Sequence, residues 1–544
     1  GTLLYSYTLE EIQKMNELPP LPERNGLICQ EWNWSLEDIK AHNRRLIVGA
    51  TYITDDGKTR LYINLDDENY LTMPIIFGQS KTNAVEVDWG DDSPVETFSS
   101  SSSSSKLQIY HTYSNVGEYI ITFNPADNCD LILGNQYHDC NVVGSDKYSA
   151  YTARRGYYSN RIFKVHFGKN VQLNNTDSFE GCRNLKEIIL SKGSTAIGSS
   201  FFRECNDLRA IIIPSSVKEL QSTVFYNCIN LKTVSLPNGI DAVNSEVFIY
   251  CKNLKELTIP NSFTNIVINL CMGCNSLSEF VIPNTVTTIG NAAFASCYVL
   301  RNIIIPNTVT SLGNSVFSNC WRIEKMVLPS SINSVGSNVF SECYNLKTVV
   351  LSENLSIIPN SMFYKCHDLQ KVIIPDGVTD IGSQAFYECR SLQSVNIPSG
   401  VQNIKQSLFT NCNSLLEVNL PESVVSIEYG AFQYCSSLSN ITMSHNITSI
   451  GNSAFSNCYS LLEIFVPSGV SALNSSVFSN CTNMKKYDFS EHMQVPTLSN
   501  TNVFNNIPKD CQIIVPNALY DEWIAATNWS NYADRIVKVS EVET

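Results

Sequence analysis

The cysteines are the residues of this chain best suited to chemistry, since a thiolate can act as a nucleophile or bind a metal ion. Fourteen of the 19 lie 23 residues apart, from Cys182 to Cys481, without an insertion or a deletion. Phe stands three residues before each of them, except where Cys271 replaces it, and Leu, Ile or Met follows three residues after. This apolar setting predicts a ladder of buried free thiols that act as small apolar side chains.

Two other cysteine motifs could carry chemistry. The pair Cys271 and Cys274 resembles half of a zinc site, but zinc needs four ligands and no second pair lies near it in the sequence. We interpret it as a substitution in the repeat core. The run from His138 to Cys140 places a nucleophile near a base, but adjacent residues rarely converge as a catalytic pair, so a loop at a domain junction is the better interpretation. Cys129 and Cys140 flank this loop and are the one pair that we consider for a disulfide.

Acidic groups at 66–68 and 88–92 could give oxygen ligands to Ca²⁺, although turn chemistry explains them equally well. The sequence contains no H-E-x-x-H, no G-x-x-x-x-G-K-[ST] and no G-x-S-x-G motif. Seven His across the whole chain leave few candidates for a general base. We predict no catalytic residues, no metal and no cofactor, and therefore a protein that is not an enzyme.

Each repeat predicts one short strand and a return path. One unit reads Phe363, Cys366, Leu369, Val372, Ile374, Pro375, Val378 and Ile381. The residues before the Pro alternate with a period of two, and the Pro cannot donate to a ladder, so the strand must stop there. One unit cannot enclose a core and must bury its apolar face on its neighbours, which predicts a solenoid. Degenerate units at both ends bring the count to sixteen rungs over residues 159–516.

This unit resembles the bacterial leucine-rich repeat of BspA-like surface proteins, L-x-x-I-x-I-P-x-x-V-x-x-I-G-x-x-A-F-x-x-C. The residues of one unit that match are Leu277, Phe280, Ile282, Pro283, Val286, Ile289, Gly290, Ala293, Phe294 and Cys297. Ser352 and Ser444 replace the Pro, and Pro359, Lys405 and Glu428 stand where Gly is usual. The resemblance implies a mainly β, curved leucine-rich repeat solenoid, commonly displayed on the cell surface in adhesive or protein-binding roles.

A second resemblance lies ahead of the repeats. The segment 87–92 (V-D-W-G-D-D) and the segments 111–113 (H-T-Y) and 117–119 (G-E-Y) are similar to the signature of PKD-like β-sandwich domains. Asp92 replaces the usual Gly, and a run of seven Ser, 99–105, lengthens a loop. The resemblance implies a spacer or a ligand-contacting module outside the cell.

The flanking segments complete the predicted organisation. Thr8 and Glu11 favour a capped helix at the start of the chain, and the turn 55–57 (D-D-G) predicts a hairpin. Aromatic residues at helical spacing after residue 517 predict a cap that covers the last rung. The predicted domains are a helical lead-in (1–45), a PKD-like β-sandwich (46–135), a linker (136–158), the solenoid (159–516) and a C-terminal cap (517–544).

Composition limits the partners and the location. The net charge of -14 argues against nucleic acid, anionic membranes and heparin-like glycans, all of which attract basic surfaces. No run of about 20 apolar residues exists to span a membrane. Because the sequence starts at Gly1 rather than Met, a targeting segment would lie outside it. The two resemblances imply an extracellular or cell-surface location.

Alternation along each strand predicts which side chains a partner can reach. The sixth and eighth residues after each Cys face the core, so the fifth and seventh point outward on the predicted concave face. The seventh positions are Val281, Ile304, Val327, Val350 and Ile373, followed by Asn396, Asn419, Thr442 and Phe465. Charged residues at the fifth position are Lys325, Lys371, Glu417 and Glu463. An exposed apolar stripe often marks an interaction surface, although β-branched residues also favour an open sheet for its own sake.

These features predict a secreted or cell-surface bacterial binding protein that recognises an extracellular protein or glycan through the concave face. The alternative is a structural spacer or an assembly component, such as part of a fibre or a phage tail. Stable self-association through the solenoid would favour that alternative.

Overall fold

The computed structural model describes most of the chain, namely residues 5–42, 46–69, 71–79, 84–99, 106–127, 129–133 and 159–542. The predicted linker, the run from His138 to Cys140 and the pairing of Cys129 with Cys140 lie wholly or partly outside these residues. The chain divides into two compact units. The first unit is Gly1–Val286 with Ala293–Asn302, and the second is Thr287–Ala292 with Ile303–Thr544.

The first unit begins with two helices and two strands. They are α1 (Leu9–Lys14), β1 (Leu27–Trp32), α2 (Leu36–His42) and β2 (Ala50–Thr54). The predicted capping box is confirmed, because the Glu11 N–H donates to Thr8 Oγ1 at 3.2 Å and the Thr8 N–H donates to Glu11 Oε2 at 2.7 Å. Strand β1 was not predicted. It pairs antiparallel with β2, and we call this pair the N-terminal ribbon.

A β-sandwich follows the ribbon. Its strands are β3 (Thr59–Leu65), β4 (Thr72–Gln79), β5 (Val85–Asp88), β6 (Glu96–Phe98), β7 (Lys106–Thr112), β8 (Gly117–Pro125) and β9 (Leu131–Leu133). The prediction of a hairpin around residues 55–57 is wrong: the turn forms, with Gly57 at φ +73°, but β2 pairs with β1 whereas β3 pairs with β8. Phe77 of β4 and Phe123 of β8, from different sheets, are fully buried with ring centroids 5.7 Å apart, so the two sheets share one core.

The sandwich continues directly into the first rungs of the solenoid. Strand β10 (Ile162–His166) pairs antiparallel with β3 on one side and parallel with β12 (Glu187–Ile189) on the other. In the second sheet, β11 (Val171–Gln172) pairs in parallel with β9. The first rung thus has a sandwich strand as its neighbour on each sheet, which pairs strand edges that would otherwise be open.

The solenoid has about 16 turns with a period of about 23 residues. Each rung gives a short strand before the turn and usually a two-residue strand after it, and equivalent strands pair in parallel, as Val327 with Val350 and Val350 with Ile373. The remaining repeat strands are β13 (Ala196–Ile197), β14 (Ala210–Ile212), β15 (Glu219–Leu220), β16 (Thr233–Ser235), β17 (Ala242–Val243), β18 (Glu256–Leu257), β19 (Asn265–Ile266), β20 (Glu279–Val281), β21 (Thr288–Ile289), β22 (Asn302–Ile304), β23 (Ser311–Leu312), β24 (Lys325–Val327), β25 (Ser334–Val335), β26 (Thr348–Val350), β27 (Ile357–Ile358), β28 (Lys371–Ile373), β29 (Asp380–Ile381), β30 (Ser394–Val395), β31 (Asn403–Ile404), β32 (Glu417–Asn419), β33 (Ser426–Ile427), β34 (Asn440–Thr442), β35 (Ser449–Ile450), β36 (Glu463–Phe465), β37 (Ala472–Leu473), β38 (Lys486–Asp488), β39 (Thr497–Leu498) and β40 (Gln512–Val515).

A column of stacked Phe rings forms much of the core. In the second unit the rings from Phe317 to Phe504 repeat with centroid distances of 5.3 to 5.8 Å. In the first unit Cys271 takes the place of one ring. In the same region Phe280 stands in a strand position that is usually held by Ile or Val. Its ring packs against Phe294, with centroids 4.7 Å apart, and supplies apolar volume beside the smaller Cys271 side chain.

The cysteine ladder is buried as predicted, but its thiols do more than fill space. All fourteen repeat cysteines are fully buried. Cys366 Sγ donates to the carbonyl of Phe340 at 3.1 Å, and Cys389 Sγ donates to that of Phe363 at 3.2 Å. Ten further repeat thiols donate in the same way to the residue 26 positions earlier, in the Phe slot of the preceding rung. The thiol therefore supplies a hydrogen bond between rungs in addition to apolar volume.

We expect the repeat thiols to be unreactive in the folded protein. Burial raises the pKa of Cys343 to about 12 and the pKa of Cys366 well above its usual range, so little thiolate forms at neutral pH. Ellman's reagent should label these thiols only after denaturation, whereas Cys29, which is half-buried, should react earlier. Rapid labelling of the repeat thiols under native conditions would contradict the buried ladder.

The second unit ends with helices and one further strand. They are a 3-10 helix (Asn517–Leu519), α3 (Tyr520–Ala525), two more 3-10 helices (Trp529–Arg535 and Val539–Glu541) and β41 (Ile536–Lys538). Trp529 is buried against Phe504 at 5.5 Å and donates its indole N–H to the carbonyl of Pro496 at 2.7 Å. Strand β41 was not predicted; it pairs in parallel with β40 and so extends the sheet by one strand. None of the helices in the described residues has the length and hydrophobicity needed to cross a lipid bilayer.

Candidate functional site

The seventh positions point outward, and their apolar members are well exposed. In the second unit Ile304 is 82% exposed, and Val327, Val350 and Ile373 are each more than half exposed. We call these four residues the apolar stripe. Val327, Val350 and Ile373 lie side by side on three neighbouring strands of a six-stranded parallel sheet. Val281, which is also half exposed, occupies the same position in the first unit.

The polar seventh positions differ from the stripe in that their side chains bond to their own sheet. Asn396 Nδ2 donates to the carbonyl of Ile374 at 2.8 Å, and Asn396 Oδ1 accepts from the Ile374 N–H at 3.0 Å. Thr442 Oγ1 donates to Asn419 Oδ1 at 2.9 Å. These polar side chains therefore already use some of their donors and acceptors within the sheet. The side chains of the apolar stripe have no donors or acceptors and make no such bonds.

Phe465 is less available than its position predicts. It is half-buried, and its ring centroid lies 5.2 Å from that of His445 on the preceding rung. Covering this half-buried ring would contribute less free energy of binding than covering a fully exposed aromatic side chain, because less apolar area would be removed from water. The apolar stripe, rather than Phe465, is the larger exposed hydrophobic surface of this column.

Opposite charges flank the apolar stripe on its two sides. The fifth positions contribute Lys325 and Lys371, both exposed. The turn after each strand, at the tenth position, contributes the exposed Glu353 and Asp376. The predicted residues Glu417 and Glu463 are also exposed, but they belong to later rungs, where Lys486 lies 3.9 Å from Glu463.

A column of aromatic side chains in the second unit was missed by the sequence analysis. Trp321, Tyr344 and His367 each follow a repeat cysteine directly, so the 23-residue register could have identified them. The rings of Trp321 and Tyr344 are 5.9 Å apart, and those of Tyr344 and His367 are 5.0 Å apart. Tyr344 and His367 are stacked, whereas the Trp321 ring is tilted by 35° from that of Tyr344. Glu388 lies beside this column, with Oε2 3.5 Å from His367 Nε2 and 2.6 Å from the Arg390 guanidinium.

The buried histidines predict that stability falls in mild acid. Burial lowers the pKa of His492 and of His166, and for His367 the nearby Arg390 adds to the effect of burial. A histidine with a lowered pKa in the folded state binds its proton more readily when unfolded. Each such histidine therefore contributes to the stability of the folded state above about pH 6.5, and this contribution is lost as the pH falls through the lowered pKa of the folded state.

We expect the melting temperature to decrease between about pH 7.5 and about pH 5.5, above the range in which carboxylates titrate. Glu187, whose pKa is lowered to about 2 chiefly by its hydrogen bond from His166, titrates below this window. His492→Phe keeps an aromatic ring against Phe489 but removes the group that titrates. This variant should therefore show a smaller decrease in melting temperature over the same pH range. A melting temperature that stays constant across this window would contradict the prediction.

The acidic groups considered for calcium serve the turns of the sandwich. Asp88 Oδ1 accepts from the Gly90 N–H at 2.9 Å, and Asp91 Oδ2 lies 2.7 Å from His111 Nε2. Tyr113 donates its hydroxyl to the carbonyl of Trp89 at 3.0 Å, so the residues of the PKD-like signature converge on one turn. Across the described part of the chain, no three His, Cys, Asp or Glu side chains gather as ligands for a metal ion.

In the first unit the N-terminal ribbon, with the adjoining Asn33 and Gly49, covers the first part of the column that is bare in the second unit. The equivalent seventh positions there are Ile189, Ile212 and Ser235. Ile189 and Ser235 are buried and Ile212 is half-buried. Sequence patterns within the repeats could not show this, because the covering residues lie far away in the sequence.

The comparisons with known proteins agree with this architecture. Parallel strands at a 23-residue period, with a Leu, Phe and Cys core, define a leucine-rich repeat solenoid. The model of the BspA type leucine rich repeat region matches residues 153–275, 264–393 and 379–509, more than half of the sequence, and the chain belongs to this family. The family model begins at residue 153, so the PKD-like assignment of the N-terminal region stays a prediction.

Solved structures of bacterial proteins are similar to this chain. A leucine-rich repeat protein from Bacteroides ovatus is 25% identical with a TM-score of 0.57, covering 70% of this chain and 94% of that one. A leucine rich cell surface protein from Faecalibacterium prausnitzii is 24% identical with a TM-score of 0.37, covering 56% and 86%. A leucine-rich repeat protein from Eubacterium ventriosum is 20% identical with a TM-score of 0.44, covering 65% and 94%. None of the curated proteins matches the chain.

Proposed function

We propose that this protein is a non-enzymatic binding protein of a bacterium, secreted or displayed on the cell surface, and that the apolar stripe is its binding surface. The observation that carries this proposal is the exposure of four β-branched side chains, one on each of four successive rungs. Removing apolar side chains from water favours association, and a stripe held on a paired sheet loses little conformational freedom on binding.

The surface location is supported by membership in the BspA type family and by the similarity to bacterial leucine-rich repeat proteins. Within this proposal the N-terminal sandwich acts as a PKD-like spacer. The convergence of Trp89, His111 and Tyr113 at one turn supports that role.

The proposal predicts that Val350→Glu weakens binding to a partner. The full chain would be immobilised and tested against a panel of extracellular proteins and mucin glycans. A charge in the middle of the stripe must be desolvated without a partner, so we expect affinity to fall roughly tenfold or more.

Val425→Glu is the matched control, because Val425 is an exposed Val on the return path of a rung in the same unit. It should leave binding unchanged, and both variants should keep the melting temperature of the parent. Equal binding by the parent and by Val350→Glu would reject the stripe as the site. Absence of binding to every member of the panel, together with stable self-association, would favour the structural spacer.

A further inference from the structure

The N-terminal ribbon shows what kind of structure the seventh-position column accepts. Ala50 and Tyr52 of β2 form one buried cluster with Ile189, against which Leu27 and Trp32 of β1 pack. The two strands of the ribbon therefore present apolar side chains together to a seventh-position residue. The column itself contributes one apolar side chain per rung, and an extended segment can turn one apolar face toward it because its side chains alternate in direction.

The residues that adjoin the ribbon, from the end of β1 and just before β2, also approach the column very closely. A Cβ atom at Gly49 would lie 2.6 Å from the Ile212 side chain, so only glycine fits there without displacing a neighbour. Next to it, Asn33 Nδ2 donates to Ser235 Oγ at 2.9 Å and lies 3.2 Å from the carbonyl of Ile213. Trp34 donates its indole N–H to the carbonyl of Leu236 at 2.6 Å. These residues thus combine apolar cover with hydrogen bonds to backbone carbonyls at the ends of the strands.

Acidic residues of the ribbon and of α2 contact the turns of the rungs. Glu31 Oε2 lies 2.6 Å from Lys192 Nζ, and Glu31 also accepts from the Ser215 N–H at 3.2 Å. Asp38 Oδ1 accepts from Asn238 Nδ2 at 2.8 Å. Lys192, Ser215 and Asn238 each stand at the tenth position after a repeat cysteine. In the second unit the tenth positions beside the stripe are instead acidic at Glu353 and Asp376.

We propose that the partner bound by the apolar stripe is a protein that presents an extended antiparallel β-ribbon, and that the N-terminal ribbon is an intramolecular example of this mode of binding. This inference rests on the function proposed above and names the class of partner. The partner ribbon carries β-branched or small apolar residues toward the stripe. It carries basic side chains over Glu353 and Asp376 and acidic side chains over Lys325 and Lys371.

The chemistry of the stripe favours a protein ribbon over a glycan. Sugars are held by hydrogen bonds and by stacking on aromatic faces, whereas Ile304, Val327, Val350 and Ile373 offer neither. In the aromatic column of this unit, Tyr344 and His367 stack on each other, so each covers one face of the other ring.

The experiment is a selection of disulfide-closed β-hairpins with one randomised face, displayed on phage, against the full chain. We expect enriched hairpins with alternating apolar residues, one acidic edge and one basic edge. Their affinity should fall roughly tenfold or more for Val350→Glu and stay unchanged for Val425→Glu. Lys325→Glu with Lys371→Glu should weaken the same hairpins at low salt, and added salt should reduce the difference.

Each other outcome overturns the inference in a distinguishable way. If no hairpin discriminates the parent from Val350→Glu, but an extracellular protein or a mucin glycan of the panel does, the binding function stands and the ribbon partner is wrong. If neither discriminates, both proposals fail. If the protein instead forms a dimer that Val350→Glu dissociates, the occupant is a second copy and a foreign ribbon is rejected.

Discussion

Phe409→Ala is expected to destabilise the second unit by about 3–5 kcal/mol. Phe409 is fully buried, and its ring lies 5.5 Å from Phe386 and 5.4 Å from Phe432 in the stacked column. Truncation removes the favourable free energy of burying the ring. It also leaves a cavity, which the two neighbouring rings cannot fill because their own rungs hold them in place. Because each rung is stabilised mainly by contacts with its two neighbours, the rungs near Phe409 should lose stability before the whole unit unfolds.

Denaturant unfolding followed by circular dichroism would give the midpoint, and hydrogen exchange would show where protection is lost. We expect the largest loss of protection in the rungs of Phe386, Phe409 and Phe432. Phe465→Ala is the matched control, since Phe465 is a half-buried ring outside this column, and it should cost less than about 1 kcal/mol. Equal effects of the two substitutions would show that the stacked column does not dominate the stability of this unit.

Trp34→Ala is expected to weaken the docking of the N-terminal ribbon by about 3–5 kcal/mol. The Trp34 side chain is buried, its ring packs edge-on against His42 at 5.2 Å, and its indole N–H donates to the carbonyl of Leu236. Alanine removes the ring and leaves that buried carbonyl without this donor, so a cavity and a lost hydrogen bond add together.

Undocking of the ribbon would expose Ile189 and Ile212, and thereby create in the first unit an apolar column like the stripe of the second. Hydrogen exchange should increase in β1 and β2, and a hydrophobic dye such as ANS should bind more strongly. Trp321→Ala removes an indole that is 39% exposed and should change neither readout. Unchanged exchange of the ribbon in Trp34→Ala would mean that contacts other than the indole hold it in place.

The repeats could be predicted almost residue by residue, because their interactions repeat at one short spacing. A fixed period of 23 residues places each Leu, Phe and Cys beside its own equivalent, so burial follows from the one-dimensional pattern. The exposure of Ile304 and Val350 followed from the same alternation. The pattern also implied buried thiols, but not that Cys366 donates to Phe340, since that bond depends on the rotation of one rung relative to the next.

The contacts of the N-terminal region could not be predicted in this way. The turn at residues 55–57 was correctly located, yet β2 pairs with β1 and β3 with β8, because pairing depends on which distant edge is open and not on the turn alone. The docking of Asn33 and Trp34 on rungs about 200 residues later has no periodic signal in the sequence. Local periodicity therefore determines the solenoid and the direction of its side chains. Contacts between residues far apart in the chain determine which part of that outward column is covered and which part remains open to a partner.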